Sequence, residues 1–258
     1  MKAVFYKYQG TGNDFVMIDN RQEFFPKNDT KLIAHLCDRR FGIGADGLIL
    51  LENDNLSDFR MVYFNSDGSE STMCGNGGRC LVAFAKYLGI INSETTFVAV
   101  DGPHEAHING DIVRLKMQNV EEVREKPLYS FLDTGSPHHV QLVDSLDTFD
   151  VKTEGAKLRY GLYGKSGSNI NFVSQSDDTS FAVRTYERGV ENETLSCGTG
   201  VTAVALAMHS LGKTQANAVK IKTVGGDLDV DFKTENGMYK EIFLEGPAKL
   251  VFKGEVEW

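Results

Sequence analysis

Hydrophobic and polar positions change period at matching places in the two halves of the chain. Phe59-Arg60-Met61-Val62-Tyr63-Phe64-Asn65 and Phe181-Ala182-Val183-Arg184-Thr185-Tyr186-Glu187 have the β-branched and aromatic content of strands. A polar loop follows each, and then apolar residues at i, i+3, i+4 and i+7. These are Leu81, Phe84, Ala85 and Leu88 in the first half, and Val201, Val204, Ala205 and Met208 in the second. That spacing predicts two amphipathic helices. Both end at a glycine the same distance from the helix start, Gly89 and Gly212, the residue type suited to a left-handed C-terminal cap. Second strands are expected over Thr96 to Asp101 and Val219 to Val224, each before a glycine. A unit of strand, loop, helix and strand occurring twice predicts a duplicated fold.

Length fits this division, since 258 residues make two domains of ordinary size. The expected class is α/β (α+β): two pseudo-symmetric domains, each a curved, mainly antiparallel sheet or barrel wrapped round a central helix. We place them at residues 1–118 and 119–249, with the boundary in the charged run that ends at Pro127. The final strand, Lys249 to Lys253, and the tail 250–258 are expected to return to the first half. A hydrophobic content of 41% supports packed cores, and no apolar run reaches the roughly 20 residues of a membrane span. The amino terminus passes straight into a strand pattern, without a signal-like apolar segment, so cytoplasmic residence is expected. A net charge of -9 without a basic cluster argues against a nucleic-acid partner and leaves small molecules or proteins. Homodimeric assembly is compatible with these features but is not read from them.

The loop before each helix carries the chemistry. Met73-Cys74-Gly75-Asn76-Gly77-Gly78 and Ser196-Cys197-Gly198-Thr199-Gly200-Val201 share the turn Cys-Gly-x-Gly. A cysteine at a helix start meets the positive end of the macrodipole and can accept hydrogen bonds from backbone amides, which favours the thiolate. The glycines at +1 and +3 are expected to leave the backbone bare for a carboxylate. Two such turns suggest two acid/base thiols, one removing a proton beside a carboxylate and the other returning one to the opposite face. Cys37 and Cys80, by contrast, read as small buried hydrophobes. The four cysteines contain no Cys-x-x-Cys pair and make neither a disulfide scaffold nor a zinc site.

At these residues the chain resembles the diaminopimelate epimerase family, over nearly its whole length. Gly10 to Val16, Arg40 to Gly47, Phe64 to Ser69 and Met73 to Arg79 match in order in the first half. Gly135-Ser136-Pro137-His138, Asn169 to Val173, Tyr186 to Gly189 and Ser196 to Gly200 follow in the second. The resemblance implies a small-molecule substrate and cofactor-free interconversion of LL- and meso-2,6-diaminopimelate, in a cleft between the two domains. It implies Cys74 and Cys197 as the two acid/base residues, with Gly75, Asn76, Gly198 and Thr199 offering amides to the reacting carboxylate. Asn13, Asn65, Asn169 and Arg188 would read the rest of the substrate, and His138 and Glu187 would orient it. Taken alone, His138 is a loop histidine, Glu187-Arg188 a strand-end pair and Asn13 a turn residue. Other readings are a proline racemase or hydroxyproline epimerase of the same superfamily, and a thiol-redox protein, whose two thiols would ordinarily lie closer in sequence.

Two positions depart from the commoner family pattern. Gly47 stands where many members have a substrate-framing glutamine, and Ser136 where many have an asparagine. Asn171, two residues beyond Asn169, is expected to join Ser136 in replacing the lost hydrogen bonds.

Overall fold

Antiparallel and parallel strand pairs follow one another in the same order twice along the chain. The computed structural model describes residues 2–71 and 73–258; Met1, where the first expected half begins, and Thr72 lie outside the described residues. Packing divides the chain into two units, Met1–Leu115 with Gly246–Trp258, and Lys116–Glu245. The helices are α1 (Thr30–Cys37), α2 (Gly75–Tyr87), α3 (Val151–Gly161) and α4 (Gly198–Ser210). None of them is long and apolar enough to cross a membrane.

In the first unit, Lys2–Gly10 and Asn13–Asp19 form a hairpin whose pairing ends at Gly10 and Asn13. Its two turn residues, Thr11 and Gly12, have φ of 50° and 84°, the paired left-handed geometry that matches strand twist. The chain crosses through α1 to Gly47–Glu52, parallel to Asn13–Asp19, and turns back in Phe59–Asn65. It then crosses through α2 to Glu94–Ala99, parallel to Phe59–Asn65, and continues antiparallel into Gly102–Asn109 and Ile112–Lys116. The expected final strand is longer than read, Lys249–Glu257, and pairs antiparallel with Lys2–Gly10.

The second unit repeats the scheme. Ser130–Asp133 pairs antiparallel with Pro137–Leu142, α3 leads to the parallel strand Asn169–Gln175, and Ser180–Glu187 turns back. Helix α4 then leads to Ala218–Thr223, parallel to Ser180–Glu187, followed by Gly226–Glu235 and Met238–Pro247. Antiparallel pairs predominate in both units, as expected of the α+β class.

The two cysteine helices end alike. Ile90 N–H reaches Ala85 O at 3.0 Å and Gly89 N–H reaches Lys86 O at 3.0 Å; Lys213 to Met208 and Gly212 to His209 repeat this at 2.9 and 3.0 Å. Gly89 and Gly212, with φ of 72° and 66°, supply the left-handed residue this double bond requires.

Helix α4 is not amphipathic, which corrects the reading from period alone, whereas α2 keeps a less buried side at Ala83, Lys86 and Tyr87. Every residue from Val201 to Met208 is buried, as are Gly75 to Val82. Val201, Val204, Leu206 and Met208 pack into one cluster with Leu228, Val230, Ile242 and Leu244, each side chain worth about 1.5–3 kcal/mol of burial. A helix sunk into its core on all sides keeps only a residual 3.6 period. Helix α3 has no apolar stripe to reveal it. Its buried residues are Val151, Gly155 and Arg159, and it covers the opposite sheet face through Ile170, Phe172 and Tyr186.

Close approach of each cysteine helix to its sheet uses the glycine at +3. A Cβ on Gly77 would stand 2.9 Å from Ile49 Cδ1, and one on Gly200 would stand 2.6 Å from Asn171 Oδ1. These glycines are filled against the sheet rather than left bare for a ligand. Ile49 can move its terminal methyl, whereas Asn171 is held by hydrogen bonds. Gly200→Ala should therefore lower stability by about 2 kcal/mol or more and Gly77→Ala by about 1 or less, read as urea midpoints; equal losses would contradict this assignment.

Candidate active site

Both cysteines occupy the N-cap of their helix with extended backbone, φ −112° and ψ 123° at Cys74, φ −123° and ψ 110° at Cys197. Their carbonyls accept the first helical bonds, from Gly78 at 2.7 Å and Val201 at 2.9 Å. Neither sulfur takes a capping bond from the helix amides, contrary to the expectation from sequence. Cys74 Sγ instead meets Asn13 from a strand, and Cys197 Sγ meets Thr199 from the first turn of its own helix.

In the first unit, strand alternation turns Val16 and Ile18 toward α1 and puts Asn13 and Phe15 on the α2 face. Cys74 Sγ lies 3.6 Å from Asn13 Oδ1, which also accepts from Asn76 Nδ2 at 3.3 Å. Asn13 Nδ2 donates to Asp46 Oδ2 at 2.6 Å, which fixes the orientation of the amide. Behind it, Arg39 bridges Asp14, at 3.0 and 2.6 Å, and Asp46, at 2.7 Å. Lys7 pairs with Asp14 at 2.7 Å and donates to Gly44 O. Burial works against the Asp14 charge, but hydrogen bonds from Arg39 and Lys7 outweigh it and hold this carboxyl at about 2.

Arg79 is wholly buried one turn into α2 and donates to Asn76 Oδ1 at 2.9 Å, Thr11 Oγ1 at 3.4 Å and Gly75 O at 3.5 Å. Its Nε makes no hydrogen bond, and among the described residues no carboxylate pairs with it. Burial lowers its pKa to about 10, so it remains a cation at neutral pH. Neither Arg79 nor the Asp46–Arg39 brace was singled out from sequence. An arginine at i+5 from a helix-entry cysteine was the available signal for the former. Asn65 ends its strand with its backbone engaged to Ser69 and Gly68, and its side chain is not among the hydrogen bonds that join the described residues around Cys74.

In the second unit, Val173 and Val183 pack toward α4 while Ile170, Phe172 and Tyr186 face α3. The same alternation points Asn169, Asn171 and Thr185 at the start of α4. His138, opposite Asn169 in the parallel register, joins them. His138 Nε2 lies 3.0 Å from Thr199 Oγ1, which lies 3.5 Å from Cys197 Sγ. Asn169 Oδ1 accepts from the Arg188 amide at 2.8 Å and its Nδ2 donates to Ser136 Oγ at 3.1 Å. Arg188 is exposed and donates to Ser166 O at 3.1 Å and Ser136 Oγ at 3.4 Å. Glu187, half-buried, accepts from Thr194 Oγ1 at 2.8 Å.

Asn171 does not serve as a substrate-facing substitute. It is fully buried, donating to His139 O at 2.9 Å and approaching His138 Nδ1 at 3.1 Å, while its oxygen accepts from Thr185 Oγ1 at 2.9 Å. Ser136 does sit with Asn169 and Arg188. At Gly47 a Cβ would stand 2.5 Å from both Phe64 O and the Tyr63 ring, so that position has no room for a side chain. Cys37 and Cys80 are buried, as read, and burial pushes both thiols up to about 12. Among the described residues no cluster of His, Cys, Asp and Glu could hold a metal ion.

This arrangement of strands and buried helices is a known fold. A phenazine biosynthesis protein of the PhzF family from Bacillus anthracis aligns over 100% of both chains with a TM-score of 0.80 and 12% identity. A probable proline racemase from Agrobacterium radiobacter K84 aligns over 99% of this chain and 93% of that one, with a TM-score of 0.72 and 15% identity. Sequence then narrows the fold to one family. The diaminopimelate epimerase model matches residues 5–122 and 130–251. The chain is 66% identical over 250 residues to the diaminopimelate epimerase of Flavobacterium psychrophilum, covering 96% of this chain and 98% of that protein. It is 45% identical over 258 residues to that of Chlorobaculum tepidum, covering 96% and 98%. The chain belongs to the diaminopimelate epimerase family, a family of isomerases, and the resemblance read from its motifs is borne out.

The two adjacent histidines give the second unit a pH dependence. Burial, then the charge of Arg188, lowers His138 to about 3. Burial, partly offset by Gln141, lowers His139 to about 4. Both are neutral when folded and titrate near 6.5 when unfolded. Unfolding therefore takes up protons below pH 6.5, and stability that is complete above that pH is lost as pH falls toward 4 and then 3. Urea unfolding followed by circular dichroism should show a loss of about 1 kcal/mol per histidine for each pH unit below 6.5. His139→Gln should reduce the slope by about half; a flat profile between pH 7 and 5 would contradict both assignments.

Proposed function

We propose that this protein interconverts LL-2,6-diaminopimelate and meso-2,6-diaminopimelate without a cofactor, with Cys74 and Cys197 as the two acid/base groups. Membership of the family supports the reaction. The observation that carries the residue assignment is the repeated position of the cysteines, each at the N-cap of the helix that follows the equivalent strand of its unit. One sulfur, as thiolate, takes the α-proton; the other, as thiol, delivers a proton to the opposite face, and the stereocentre inverts. The thiol and thiolate forms exchange places in each turnover. Negative charge passes transiently onto the substrate carboxylate, where amide donors at Gly75, Asn76, Gly198 and Thr199 stabilise it.

The remaining residues divide by chemistry. Arg188 offers a planar fork to a carboxylate, and Asn13, Asn65 and Asn169 offer neutral donors and acceptors to the substrate's amino and carboxyl groups. Glu187 faces an ammonium group, and neutral His138 orients rather than adds charge. Arg79 supplies a fixed positive charge near Cys74. The reaction belongs to lysine and peptidoglycan precursor synthesis, and we assign the protein to the cytoplasm on that ground.

Deuterium incorporation at the α-carbon in D2O tests the proposal. Both diaminopimelate isomers should exchange and interconvert, and proline and hydroxyproline should not. Cys74→Ser and Cys197→Ser should each lower turnover by about 10³-fold. Absence of exchange with diaminopimelate would overturn the substrate assignment; full inversion by either variant would overturn the two-thiol mechanism.

A further inference from the structure

The polarity of the hydrogen bonds behind Cys197 is fixed from one end to the other. Asn171 Nδ2 lies 2.9 Å from the His139 carbonyl, which only accepts, so this atom is the amide nitrogen. The oxygen of the same amide accepts from Thr185 Oγ1. The amide nitrogen therefore also donates to His138 Nδ1 at 3.1 Å, and that ring nitrogen bears no proton. A neutral imidazole then carries its proton on Nε2. Two side-chain atoms lie near Nε2, Asn169 Nδ2 at 3.5 Å and Thr199 Oγ1 at 3.0 Å. Asn169 Oδ1 is committed to the Arg188 amide, so its Nδ2 is a donor and cannot take the proton. Thr199 Oγ1 accepts it. That leaves the single Thr199 hydroxyl hydrogen available to Cys197 Sγ, 3.5 Å away.

We propose that Asn171 is a positioning residue for Cys197: it locks His138 in the Nε2–H form, which makes the Thr199 hydroxyl a donor to Cys197 Sγ and holds this sulfur ready as the thiolate. The inference rests on the reading that Cys197 is an acid/base group, and it adds a device that neither Asn171 nor Thr185 supplies by touching substrate. A donor to sulfur stabilises the anion over the thiol. With the opposite tautomer, Nε2 would be an acceptor and would draw the Thr199 hydrogen away from sulfur. Gly200 belongs to the same device, since a Cβ there would displace Asn171 Oδ1. The charged groups at the adjoining strand end, Glu187 and Arg188, stay in place in every variant below.

The test measures Cys197 alone. In a Cys74→Ala background, where Cys37 and Cys80 are buried, iodoacetamide alkylation of Cys197 is followed by mass spectrometry across pH 5–10. Thr199→Val should slow alkylation at neutral pH by about tenfold and move its midpoint upward, Thr199→Ser should restore it, and Asn171→Ala should resemble Thr199→Val. Nitrogen-15 spectra of histidine-labelled wild-type protein should show His138 as the Nε2–H tautomer from pH 6 to 8, a measurement that does not depend on a variant folding. A wild-type Nδ1–H tautomer, or wild-type alkylation in Thr199→Val, would overturn the proposal. Diaminopimelate exchange is assayed on wild-type protein and on the same Thr199 and Asn171 substitutions made with Cys74 intact. Intact exchange with unaltered alkylation removes only the relay; the predicted alkylation shift without exchange supports the relay and removes only the substrate reading.

Discussion

The missing side chain three residues beyond each cysteine sets the geometry of both units. Gly77 and Gly200 let α2 and α4 settle against Ile49, Phe15 and Asn171, and a helix at that depth is buried from its first turn. Burial of the first turn has two results. The N-cap sulfurs are brought beside the strand ends that carry Asn13, Asn169 and His138. The polar groups buried inside the turn, such as Asn76 and Arg79, must also be satisfied by the protein. The hydrogen-bond chains around Cys74 and Cys197 are the outcome of that requirement.

The two units meet it with opposite polarity. Cys74 Sγ faces the oxygen of Asn13, whose orientation Asp46 and Asn76 hold from the other side. Cys197 Sγ faces a hydroxyl whose lone pair His138 occupies. One half carries a buried guanidinium, Arg79, and the other a buried neutral imidazole. Backbone duplication is thus preserved while the electrostatics diverge, as a reaction with two different groups at a reflected centre requires.

Features that depend on local chemistry were legible in the residues. The strands before the cysteines, the helix starts and the glycines that stop them follow from side-chain type, a cap and a left-handed φ. Features that depend on what packs against an element were not. Helix α3 shows no stripe because glycine and an arginine occupy its inward face. Asn171 looks like a substrate ligand from its spacing to Asn169, since both lie on one strand face. Only the depth of α4 turns one toward the strand end and the other into the core. Arg79 gave no warning in sequence that it would be buried, since arginine is ordinarily exposed.

The pairing of Lys249–Glu257 with Lys2–Gly10 bears on the order of assembly. Residues Lys116–Glu245 form their unit from one continuous stretch, whereas the earlier stretch needs a strand made after it. During synthesis the first unit thus waits with the edge of its opening strand uncovered, while the second can already close. Such an edge is a template for pairing with other chains, so a polypeptide halted before residue 249 should be held by chaperones or aggregate, despite carrying both Cys-Gly-x-Gly turns intact.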